Sequence, residues 1–154
     1  MKVIYDDGGR EQAGYKGAAS DCVTRSIAIA TGRPYQEVYD ALNELASKHE
    51  RHGKRKRGIS SSRNGVFRST YDRYLASLGW TWVPTMKIGQ GCKVHLREGE
   101  LPPGRLIVSL SRHMTSVIDG VVHDTHDPTR GGWRCVYGYF ILKGQTDEPT
   151  DEPI

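Results

Sequence analysis

Cysteine is scarce in this sequence. There are three in 154 residues, an odd number, and no Cys-x-x-Cys pair. That excludes the disulfide framework of a small secreted domain and the common zinc-ribbon spacings. No apolar run approaches the roughly 18 residues that a membrane span needs. The opening residues, Met1-Lys2-Val3-Ile4-Tyr5-Asp6-Asp7, hold neither a long apolar core nor a cleavage pattern, so no secretory signal is expected. Reduced thiols, a cytoplasmic setting and no membrane contact are the corresponding expectations. Neither sign of charge dominates. Lys and Arg number 22 against 18 Asp and Glu, a net charge of +4, which permits an acidic partner without demanding nucleic acid. No solenoid-type repeat is visible.

Hydrophobic residues make up 36% of the chain, which is enough for one domain, and 18 glycines and 7 prolines divide it into short elements. Val3-Ile4-Tyr5 is a short strand candidate. A helix is expected from Asp21 to Gly32, and an amphipathic one from Pro34 to about Lys48, with Tyr35, Val38, Tyr39, Leu42, Leu45 and Ala46 at helical spacing. Residues 48–65 form a long basic loop, expected to be mobile, in which Lys54, Arg55, Lys56 and Arg57 are consecutive. A third helix is expected from about Val66 to Leu78. Strands follow at Trp80–Val83 and Leu106–Leu110, then a hairpin of His113–Ile118 and Val121–His126 around Asp119-Gly120, and a long final strand from Trp133 to Leu142. Helices first and strands later make an α+β domain over residues 1–143, its helices packed on a small antiparallel sheet. Residues 144–154, with Asp-Glu-Pro twice and no core residue, are expected to be a disordered acidic tail.

The chemistry gathers around Ser20-Asp21-Cys22-Val23. Asp21 (or Ser20) is a good N-cap, and Cys22 then opens a helix whose buried face is Val23, Ile27, Ala28 and Ala30. Unpaired N–H groups and the positive end of the helix dipole favour a thiolate there. In the later hairpin, a two-residue Asp-Gly loop fixes the register. Ile118 faces Val121, Val117 faces Val122, Ser116 faces His123 and Thr115 faces Asp124. His113, Thr115 and Val117 therefore share a face with Val122, Asp124 and His126. Asp124 is the diagonal neighbour of His113, about 7–8 Å away at the backbone and within side-chain reach. A carboxylate holding one imidazole nitrogen leaves the other free to act as a base.

Asp21-Cys22 opening a helix, Arg112-His113-Met114 opening a strand and His123-Asp124 one hairpin later resemble the papain-like cysteine peptidase superfamily. The compact order of helices before sheet is most similar to its C39-like branch, the bacteriocin-processing peptidases. The resemblance runs from about Gln12 to Leu142. It implies a papain-like fold and a thiol-dependent hydrolase acting on a peptide or protein, with Cys22 as nucleophile, His113 as base and Asp124 as orienter. The family's oxyanion donor, a Gln before the Cys, falls on Gln12, the only upstream Gln, at a longer separation than is typical. The loop Lys54–Ser62 of this chain has no counterpart in that branch, and the branch's exporter-type partners have none here. The same apparatus serves deamidation or acyl transfer.

Blander readings accompany each of these. A cysteine at a helix start is often a small buried hydrophobe, and His113 can be an ordinary strand-end histidine. Cys135 is expected in the last strand, Cys92 in a loop, and Trp80, Trp82 and Trp133 in the core or a groove wall. His123 and His126 project to opposite faces of a regular strand, so no metal is expected, nor any other cofactor. The alternative function is a non-catalytic binding module that contacts an acidic partner, or nucleic acid, through Lys54, Arg55, Lys56 and Arg57.

Overall fold

Two glycines at positive φ, Gly32 (71°) and Gly79 (85°), end the first and third helices where the sequence places them. The computed structural model describes residues 1–50 and 58–144. In chain order the elements are β1 (Val3–Tyr5), α1 (Cys22–Thr31), α2 (Tyr35–His49), α3 (Arg68–Ser77), β2 (Trp80–Pro84), β3 (Arg105–Leu110), β4 (His113–Ile118), β5 (Val121–Asp124), a short 3₁₀ turn (Arg130–Gly132) and β6 (Gly138–Leu142). This is an α+β architecture. The basic cluster Lys54–Arg57 and residues 145–154 of the tail lie outside the described residues.

The six strands form one sheet in the order β1-β5-β4-β3-β6-β2. The hairpin register is the expected one, with Ser116 opposite His123, Val117 opposite Val122 and Ile118 opposite Val121. Asp119 and Gly120 both take positive φ, 48° and 78°, as a two-residue primed turn requires. Pro84 is tolerated in β2 because that strand lies at the sheet edge.

The sheet is mixed rather than purely antiparallel, because β1 pairs parallel to β5, with Val3 opposite Val122. More than a hundred residues separate those strands in sequence, so no hairpin constrains their direction. The final strand is shorter than expected. The chain turns at Arg130 and Gly131, both at positive φ, and Trp133 is left 72% exposed on the surface. Trp80 is buried, and Trp82 packs its ring on Phe140 at 4.9 Å. Cys135 lies outside β6, in an isolated bridge with His95, and forms a disulfide with Cys92. The expectation of three reduced thiols is thereby corrected, and Cys22 is the free cysteine.

Each face of the sheet buries its own apolar cluster. Ile107, Met114 and Phe140 meet Val23, Ile27, Val38, Leu42 and Leu75 from the helices. Leu106, Val108, Val117, Val122 and Ile141 meet Leu96 and Val136 from irregular segments on the other side. The last part of the 48–65 stretch is ordered packing rather than a mobile loop. Ser62 is fully buried, donates to the Tyr39 carbonyl and accepts, through its own carbonyl, from Thr24 Oγ1. Ser60 bonds the Glu50 carboxylate.

Candidate active site

Helix α1 lies along β4 and runs in the same direction. Cys22 meets His113, Ser26 donates to the Met114 carbonyl at 2.9 Å, and Ser116 donates to the Ser26 carbonyl at 2.9 Å. At the far end, Arg105 donates to the Ile29 and Ala30 carbonyls, placing a cation at the negative end of the helix. These polar contacts, all within the interface, fix how far α1 is slid along β4. They bring the first residue of the helix to the first residue of the strand.

At that end three side chains converge. Asp124, 3% exposed, holds His113: Nε2 of the imidazole is 2.7 Å from Oδ2. The same oxygen accepts from Thr115 Oγ1 at 2.7 Å, and Oδ1 accepts from the Thr125 N–H at 2.7 Å. With Nε2 engaged, Nδ1 is the nitrogen left for Cys22, whose thiol is a hydrogen-bonding partner of the ring.

The electrostatics follow from this geometry. Burial opposes the thiolate, but the hydrogen bond and charge of His113, the Met114 backbone and Arg25 together hold Cys22 below its ordinary value. Burial likewise disfavours an imidazolium, yet the bonds and charges of Asp124 and Cys22 push His113 up to about 9. Burial raises Asp124, and its bonds to His113 and Thr115 outweigh that, so its carboxyl sits below the usual carboxylate range. The arrangement favours a thiolate beside an imidazolium beside a carboxylate.

Asp21 behaves differently from expectation. It occupies the N-cap position but makes no side-chain cap bond. Its buried carboxylate instead receives Arg25, one helical turn on, Arg10 at 3.4 Å and the Tyr35 hydroxyl at 2.7 Å. Arg25 also lies 3.6 Å from Asp124 Oδ1, so it ties the helix start to the triad carboxylate. The first backbone bond of the helix is made by Arg25 N to the Asp21 carbonyl, so the Cys22 N–H makes no intrahelical bond, and it has no backbone partner among the described residues. Gln12 is exposed in the turns between β1 and α1, and no hydrogen bond joins it to Cys22 or His113.

Sequence reasoning missed Arg25 and Thr115 as members of the site, and it put His126 on the face of His113 but gave it no role. Arg25 was legible as the i+4 partner of Asp21. Thr115 was legible as the residue opposite Asp124. The ring of His126 lies 4.9 Å from that of His113, on the face where the hairpin register puts it. His123 points elsewhere and pairs with Asp6 at 3.4 Å. A polar depression of about 430 Å³ adjoins the Asp124 side, lined by Asp7, Arg10, Lys16, Asp21, Arg25 and Thr125 among others. No protein-family model, curated protein or solved structure matches this chain.

Proposed function

We propose that the protein is a thiol-dependent hydrolase of papain-like type, with a peptide or protein as substrate. The observation that carries this reading is the coupling of the Cys22 thiol through His113 to the buried Asp124, with the chain order Cys…His…Asp. In the reaction the Cys22 thiolate attacks the scissile carbonyl carbon, and the C=O electron pair moves onto oxygen. The Cys22 N–H at the helix start donates to that oxyanion. As the tetrahedral species collapses, the C–N bond breaks and the His113 imidazolium gives its proton to the departing amine. The acyl group is left as a thioester on Cys22. His113, now neutral, takes a proton from water, whose oxygen attacks the thioester and releases a carboxylic acid. Asp124 keeps the ring in one orientation and stabilises its charged form.

An activated acyl ester tests this directly. Intact protein incubated with p-nitrophenyl acetate is expected to gain one acetyl group on Cys22, read by peptide mass spectrometry, and to hydrolyse it on standing. The Cys22→Ala variant should show neither event, and His113→Ala should lose the deacylation step. Acylation of Cys22 no faster than that of free cysteine at the same pH would remove the basis for the proposal.

A further inference from the structure

One histidine beside the triad has no part in the chemistry just described. His126 is 55% exposed at its side chain, yet its ring sits against that of His113 with centroids 4.9 Å apart and planes at 52°. One ligand atom each from His113, Asp124 and His126 can be chosen so that all three lie within 4.8 Å of one another. The carboxylate stands between the two imidazoles. Oδ2 is 2.7 Å from His113 Nε2, and Oδ1 is 3.8 Å from His126 Nδ1.

We propose that His113, Asp124 and His126 form a binding site for a divalent transition metal of the zinc class, and that filling it stops His113 from acting as a base. The metal site stands on geometry alone, whereas its inhibitory effect rests on the function proposed above.

Zinc held by two imidazoles and one carboxylate at about 2.0–2.2 Å is a recurring three-ligand set, with water in the remaining position. The spread of the ligand atoms is wider than a tetrahedron needs, but the adjustment falls on the exposed member. Among the described residues, His126 Nδ1 has a 3.4 Å contact with Thr125 Oγ1 besides its approach to Asp124. The carboxylate is already aimed. Thr115 Oγ1 and the Thr125 N–H fix it, as outer partners fix metal ligands elsewhere. Arg25 at 3.6 Å opposes a cation, but its charge is shared with Asp21. The 55% exposure of His126 provides the way in. Two imidazoles select zinc, copper or nickel over magnesium and calcium.

The bookkeeping of protons gives the inhibition. When the metal binds, the Nε2 proton of His113 leaves to solvent and the Nε2 lone pair goes to the metal. The ring's remaining proton then resides on Nδ1, the nitrogen that faces Cys22. In the thiolate–imidazolium pair the thiol proton has already left, so the metal-bound ring fails at deacylation: it has no lone pair with which to accept a proton from the attacking water.

Zinc chloride titrated calorimetrically into the intact disulfide-bonded protein is the test, with magnesium chloride as control and cobalt chloride as a spectroscopic probe. One zinc per chain is expected and no magnesium. His126→Ala should weaken zinc binding at least about tenfold, a scale on which even outer partners of metal ligands act. Cys22→Ser should not weaken it, and the cobalt complex should lack a thiolate charge-transfer band, since no sulfur is a ligand. Zinc binding that survives His126→Ala unchanged, or that disappears in Cys22→Ser, overturns the site. In wild type, zinc should slow hydrolysis of the acetyl-Cys22 thioester, and the ratio of rates with and without zinc should move toward one in His126→Ala. Zinc that binds but leaves deacetylation unchanged overturns the inhibitory half. An unreactive Cys22 in the absence of metal counts against the hydrolase reading alone, because the calorimetric arms do not depend on it.

Discussion

At the scale of single residues, the site is a competition between burial and pairing. Cys22 and His113 are each shielded from water, which by itself would leave a neutral thiol and a neutral imidazole. Their mutual hydrogen bond and the carboxylate behind them reverse both preferences. The raised value of His113 means that the fold binds its proton more tightly than the unfolded chain does. That stabilisation is complete below the ordinary value of 6.5 and is lost as pH rises through about 9. Cys22 is lowered, so its contribution is complete above the ordinary thiol value of 9.0 and is lost as pH falls through the lowered one. The thiolate–imidazolium pair occupies the window between. Alkylation by iodoacetamide across a pH series should therefore show a midpoint for Cys22 below that of the same thiol in urea. In His113→Ala the helping bond and charge go while burial largely remains, so the midpoint should move upward, toward or past the unfolded value. A midpoint unmoved by that substitution would show that His113 does not act on the thiol.

Among the elements, the decisive contact is α1 on β4. The Ser26 and Ser116 hydroxyls cross the interface in opposite senses, and both residues are buried. Ser26→Ala removes a donor whose single proton is shared between the Cys22 carbonyl at 2.6 Å and the Met114 carbonyl at 2.9 Å, and should cost about 1 kcal/mol in a urea titration, the scale of one buried hydrogen bond. A second element-scale constraint is Gly138 in β6. A methyl group built there would come within 2.5 Å of the Trp82 ring and 2.7 Å of the Val83 carbonyl. Gly138→Ala should destabilise by about 1–3 kcal/mol, as overpacking does, and an unchanged urea midpoint would mean that the β2 edge yields freely. Much of this level was legible beforehand. Helical periodicity marked α1 to α3, and Asp119-Gly120 set the register that carries Asp124 to His113. What was not legible depended on partners remote in sequence. The parallel pairing of Val3 with Val122 has no local signal. Asp21 fits an N-cap by type, but two arginines and Tyr35 compete for its carboxylate and win. Ser62 reads as loop polarity until Tyr39 and Thr24 arrive from α2 and α1 to bury it.

For the whole molecule, the sheet divides the protein into a helical side that carries Cys22 and an irregular side that, among the described residues, has no α-helix to hold it. The irregular side is built from residues 85–104 and 125–137, and the Cys92–Cys135 bond ties one to the other. Two cysteines 43 residues apart carry no spacing signal, which is why their pairing was not foreseen while the lone chemistry of Cys22 was. Their bond should matter to stability and not to reactivity. Closing a loop of that length removes about 4 kcal/mol of chain entropy from the unfolded state in the simplest model, with measured values often smaller. The Cys92→Ser/Cys135→Ser double variant should therefore unfold at lower temperature, by about 2–4 °C for each kcal/mol lost in a chain of this size. Its Cys22 alkylation midpoint should match wild type, because the triad is held by α1, β4 and β5 rather than by the tied segments. Thiol counting completes the comparison. Protein refolded with oxidised glutathione and then denatured should titrate one free thiol, and three only after reduction. Three free thiols before reduction would place the stability of the irregular side on Leu96, Val136 and their apolar neighbours alone.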